Sequence, residues 1–106
     1  MKLKNTLQKG AVRYIVFKED DTWFGVGLEF NLVVQADDKE LALFELFNAI
    51  QGYLEAAAKI GGVRPHILNQ QTDSEYEDLW QKLNTNRPIP SPYQVVTFGT
   101  KLLTNA

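Results

Sequence analysis

Cysteine is absent from the chain. That excludes disulfides, thiolate zinc sites and a cysteine nucleophile, and it makes a reducing compartment harmless to the fold. Histidine occurs once, as His66 beside Pro65, with no base, nucleophile or ligand set near it in sequence. A histidine without an orienting partner reads as an ordinary loop residue. No stretch approaches the ~20 apolar residues that a membrane-crossing helix needs. The basic amino terminus, Met1 to Gly10, has no apolar run behind it, so it does not read as a secretory signal. Gly25-Val26-Gly27 lacks the third glycine and the following helix of a dinucleotide-binding turn. These absences lead us to expect a cytoplasmic protein without a cofactor.

What is present is a balance suited to one packed domain. The 106 residues are 44% hydrophobic, 11% aromatic and 23% charged, enough apolar surface to offset chain ordering within a single core. We place a flexible amino terminus at residues 1–10 and one domain at residues 11–106. The net charge of −2 hides an asymmetry. Between residues 19 and 55 stand Glu19, Asp20, Asp21, Glu29, Asp37, Asp38, Glu40, Glu45 and Glu55 against Lys39 alone, nine acids minus one base, or −8. The first 18 residues carry only Lys2, Lys4, Lys9, Arg13 and Lys18. An acidic body repels nucleic acid and favours a basic partner, although solvated acidic faces are also common without one.

The run from Ala11 to Lys18 is β-branched and aromatic, and after Glu19-Asp20-Asp21-Thr22 a second strand alternates from Trp23 to Glu29. Phe24, Val26 and Leu28 face one side of it, Trp23, Gly25, Gly27 and Glu29 the other. The two glycines leave a shallow face that either admits another chain or only relieves twist. Leu32 to Ala36 reads as a third strand. Asp37 and Glu40 fit a capping box opening a helix to Ile60, with Leu43, Leu46, Phe47, Ile50, Tyr53, Leu54 and Ala57 as its stripe and Gly61-Gly62 as its stop. Val63 to Gln71 reads as a loop. Thr72 and Glu75 fit a second capping box, before a helix whose Tyr76, Leu79, Trp80 and Leu83 form a core or lid stripe. The prolines from Pro88 to Pro92 form a stiff spacer, and Gln94 to Phe98 a last strand. The expected fold is α+β: an antiparallel three- to four-stranded sheet covered by a long helix, in the order β-β-β-α-α-β.

The residues Tyr14-Ile15-Val16-Phe17, Trp23-Phe24-Gly25-Val26, Leu28-Glu29-Phe30 and Val34-Gln35-Ala36-Asp37, followed by the leucine-rich helix, resemble the HicB-like antitoxin family over about residues 11–60. Pro88-Ile89-Pro90 before the last strand is similar as well. The resemblance implies a truncated ribonuclease H-like fold without that enzyme's active site, and a protein-binding role, masking a basic RNA-cleaving toxin of the HicA type. In place of the helix-turn-helix or ribbon-helix-helix that family antitoxins often carry, this chain offers one helix, a proline-rich spacer and a strand, so DNA binding is not expected.

The enzymatic alternative is a ribonuclease H-like metal site built from carboxylates such as Glu29, Asp37 or Glu40, which would have to converge on ions ~4 Å apart. Since Asp37 and Glu40 already serve as a cap, no enzyme is expected. The acidic helix face also argues against a membrane surface. Glu19, Asp20, Asp21, Trp23 and Glu29 are the candidate partner-binding residues. A homodimer or higher homo-oligomer is expected, with Trp23, Val33 and the glycine face as its candidate surface.

Overall fold

The computed structural model describes residues 5–6, 10–60, 67–89 and 94–103. Its elements are β1 (Gly10–Glu19), β2 (Thr22–Gly27), β3 (Leu32–Ala36), α1 (Lys39–Ile60), α2 (Ser74–Asn84) and β4 (Gln94–Leu103). The expected α+β order β-β-β-α-α-β is therefore realised. The sheet is antiparallel throughout, with the strand order β3-β2-β1-β4. The last strand thus returns beside the first, which makes β1 central.

A strand with neighbours on both sides and helices on both faces must be apolar in both directions, and β1 is. Val12 and Val16 join Leu46, Ile50, Leu54 and Ala57 of α1 in one core. Ile15 and Phe17 join Leu79 and Trp80 of α2 in a second. All four β1 residues are at most 1% exposed. The long helix was the expected cover of the sheet; the structure adds α2 as the cover of the other face, with Tyr76 and Leu83 of its stripe packed against the second core.

Gly25 and Gly27 face α1. A side chain at Gly25 would lie 3.1 Å from Leu46 Cβ and 3.1 Å from Val34 Cγ2, and one at Gly27 would lie 3.6 Å from Ile50. The shallow glycine surface is therefore filled by the protein's own helix. Nor do Trp23, Val33 and the glycines form one surface. Val33 pairs with Val26 and so lies on the α2 side, whereas Trp23 shares the α1 side with the glycines.

Both helix starts differ from the capping boxes read in sequence. β3 stays paired through Ala36, so Asp37 is used in the exit and Asp38 becomes the cap, its Oδ1 accepting the Leu41 N–H at 2.7 Å. Glu40 then stands one position too early for a box. At α2 the cap is Asp73 without a side-chain cap bond, and Thr72 Oγ1 is buried with no partner among the described residues. This helix ends at Asn84 with Thr85 as its C-cap, and Asn86 follows with a left-handed φ of 57° that suits a short polar side chain.

The amino-terminal boundary also shifts. Asn5 is only 6% exposed. Its Oδ1 accepts the Ala11 N–H at 2.7 Å, its Nδ2 donates to Leu68 O at 3.0 Å, and it exchanges two further bonds with the Asn69 side chain. Gly10 already belongs to β1. Asn5 and Gly10, which the sequence reading places in the flexible segment of residues 1–10, are bonded to the domain here, as a buried amide must have its bonds satisfied. The loop reading holds for residues 67–71. There Tyr53 of α1 donates to Ile67 O, and the Gln70 N–H donates to Glu29 O at 2.7 Å. Gly61-Gly62, His66 and Pro90 to Pro92 lie outside the described residues.

Two glycine substitutions should move stability in opposite directions in urea denaturation. Gly25→Val forces atoms into the α1 contact and should cost about 1–3 kcal/mol. Gly52 lies within α1 with nothing within 4 Å of an added Cβ, so Gly52→Ala should stabilise by about 1 kcal/mol.

Candidate protein-binding surface

The sheet register gathers charge that sequence order keeps apart. Glu19 pairs with Thr22 across a two-residue turn, and Trp23 pairs with Ala36. The β1–β2 turn and the entry to α1 therefore share one end of the sheet. Glu19, Asp20 and Asp21 meet Asp37, Asp38 and Glu40 there, and all but the partly exposed Glu19 are exposed. Asp20 holds a left-handed φ of 55°, which an aspartate tolerates better than most residues. Burial, followed by the charges of Glu75, Asp73 and Glu19, holds the Tyr76 phenol above its ordinary pKa.

Trp23 contributes less than expected. Its ring packs against the α1 core, and the Lys18 ammonium lies 5.5 Å from its centroid. Part of its area is thus already covered.

Glu29 is not a surface residue. It is 3% exposed; Oε1 accepts the Arg13 backbone N–H at 2.7 Å and Oε2 accepts Arg13 Nε at 2.6 Å. The far side of the same guanidinium reaches Glu77 of α2, at 2.6 and 3.0 Å, and its Cζ stands 5.7 Å from the Trp80 ring centroid. Burial alone would lower the Arg13 pKa, but the bonds to Glu77 and Glu29 outweigh it and hold the group above its ordinary value. One cation therefore ties the sheet, the β2–β3 connection and α2 together. The partner-binding assignment of Glu29 is corrected accordingly: a buried carboxylate needs a partner inside the protein, and it has one.

Of the carboxylates considered for metal chemistry, Glu29 is held apart from Asp37 and Glu40. Glu29 follows the Gly27 end of β2, and Asp37 follows Ala36, which pairs at the Trp23 end. At ~3.3 Å per strand residue these ends lie roughly 15 Å apart. Among the described residues no three His, Cys, Asp or Glu side chains are grouped to hold a metal ion, and no helix is long and apolar enough to cross a membrane.

The Arg13–Glu29–Glu77 relay escaped the charge count. Its signal was nevertheless present: Arg13 shares a strand face with Ile15 and Phe17, and a cation among apolar neighbours demands a carboxylate.

Glu29→Ala should cost about 2–3 kcal/mol in chemical denaturation, because the Arg13 backbone N–H and Nε lose their acceptors and the part-buried guanidinium is left to Glu77 alone. Glu77 has a side chain 41% exposed, so Glu77→Ala should cost about 1 kcal/mol or less. Equal losses would contradict this division of roles.

Comparison with protein-family models, with curated proteins and with solved structures finds no match for this chain.

Proposed function

We propose that the chain is a non-enzymatic, homo-oligomeric protein-binding module of the cytoplasm, similar in role to a HicB-type antitoxin, whose acidic end receives a basic partner such as an RNA-cleaving toxin. The observation that carries this reading is the register that sets the Glu19-Asp20-Asp21 turn beside Asp37, Asp38 and Glu40 at one end of the sheet. Carboxylates so grouped steer a cationic surface on approach and repel nucleic acid. Docked there, a partner would have the cationic surface it uses for RNA covered.

The contact set on this reading is Glu19, Asp20 and Asp21, with the exposed part of Trp23 at its border. The nuclease alternative loses its main carboxylate, since Glu29 is engaged by Arg13.

The test is the triple variant Glu19→Gln, Asp20→Asn and Asp21→Asn. Asparagine also tolerates the left-handed conformation of position 20, and exposed charges contribute within ~0.5 kcal/mol each, so the fold should persist. Association with the partner captured from native cells should slow about 3- to 10-fold at low salt, with a flatter salt dependence. Capture of nucleic acid or an acidic protein, or an unchanged association rate, would refute the proposal.

A further inference from the structure

The two edges of the sheet are unequal. β3 is an edge of five residues, whereas β4 is an edge of ten. Natural edges are usually shortened, charged, broken by proline or twisted by a bulge, because unpaired backbone groups invite another strand. β4 has a bulge at its beginning: Val16 pairs with Thr97 and Phe17 with Val95, so Val96 is left over. From Thr97 to Leu103 the ladder is regular. This stretch holds no proline and no carboxylate, and its one charge, Lys101, is drawn over the Phe47 ring at 5.3 Å on the α1 side. On the α2 side it carries Phe98, 40% exposed, and Leu102, 71% exposed. Phe98 lies opposite Ile15 and meets Trp80 edge to face at 5.6 Å. The exposed strip is therefore the open margin of the second core.

We infer that β4 pairs antiparallel with β4 of a second copy, about a two-fold axis at Thr100, to join two four-stranded sheets into one of eight strands. A two-fold perpendicular to the sheet sets opposed residues on the same face, and the centre of the regular stretch Thr97 to Leu103 is Thr100. In that register Phe98 faces Leu102 of the other copy twice over, Lys101 faces Gly99, and Leu103 faces Thr97. No like charges meet, and four exposed apolar side chains close into one cluster beside both Trp80 rings. The neighbouring register, centred on Gly99, would set the bulged Val96 against Leu102. A basic strand would find no carboxylate on this edge to pair with, whereas the chain's own strand matches it. The inference does not depend on the basic-partner reading, since the acidic turn lies beyond the Gln94 end of β4 and the pairing uses residues 97–103.

The absence of cysteine makes the test specific. Thr100→Cys places a thiol opposite its own copy, at the ~4.5–5.5 Å Cβ separation of directly opposed residues, within small adjustment of disulfide geometry. Mild oxidation should give a reducible dimer, while Val33→Cys, an exposed thiol on the other edge, should remain a monomer on a denaturing gel. By light scattering the unmodified chain should show twice the monomer mass at high micromolar concentration. Leu102→Lys, at an already exposed position, should return it to the monomer mass with an unchanged far-ultraviolet circular dichroism spectrum. A monomeric parent chain, cross-linking at Val33→Cys instead of Thr100→Cys, or a dimer undisturbed by Leu102→Lys would each overturn the inference.

Discussion

β1 is hydrophobic in both directions, and most of the architecture answers that constraint. Strands on either side satisfy its backbone, but its side chains need two separate covers. Val12 and Val16 receive α1, while Ile15 and Phe17 receive α2. Arg13 is the exception on the second face, a cation where the pattern calls for an apolar residue. Its two carboxylate partners turn that misfit into a link between the sheet and α2, beside the Leu79 and Trp80 packing that buries the helix. Since an ion pair of this kind adds modest net stability but is costly to break, the relay serves position more than strength.

The helices and the strand order along the chain were legible because periodicity is a local property. The Leu46, Ile50, Leu54 and Ala57 stripe and the Leu79, Trp80 pair are buried as their spacing requires. What escaped depended on pairing at a distance. Trp23 and Val33 both look like strand aromatics or aliphatics free to join one patch, yet the β2–β3 register sends them to opposite faces. Gly25 marks a close approach, and composition alone does not distinguish the protein's own Leu46 from another chain as the neighbour. The cap at Asp38 instead of Asp37 depends on which of two adjacent carboxylates reaches the Leu41 N–H, and the Asp37-Asp38 pair alone does not show that.

The candidate site was half legible for the same reason. Counting charge along the chain treats every acid as solvated, which holds for the turn acids Asp20 and Asp21 and for Asp37, Asp38 and Glu40. It fails for Glu29, whose burial is set by an arginine 16 positions earlier. Removing Glu29 from the surface concentrates the remaining charge. The acidic body inferred from composition becomes an acidic end, defined by which turns the register brings together.

Once α1, α2 and the Arg13 relay are in place, two exposed features differ in kind. The acidic end groups exposed carboxylates, with the exposed side chains of Leu41 and Phe44 following them in α1. The regular half of β4 offers backbone and apolar side chains with almost no charge. The most direct measurement of this account is a nuclear magnetic resonance titration of the chain with a short lysine- and arginine-rich peptide at low salt. Amide shifts confined to Glu19–Trp23 and Ala36–Leu41, fading as salt is added, are the outcome expected of an acidic end that receives a basic partner. Shifts centred on α2 or on Thr97–Leu103, or no shifts at low salt, would contradict it.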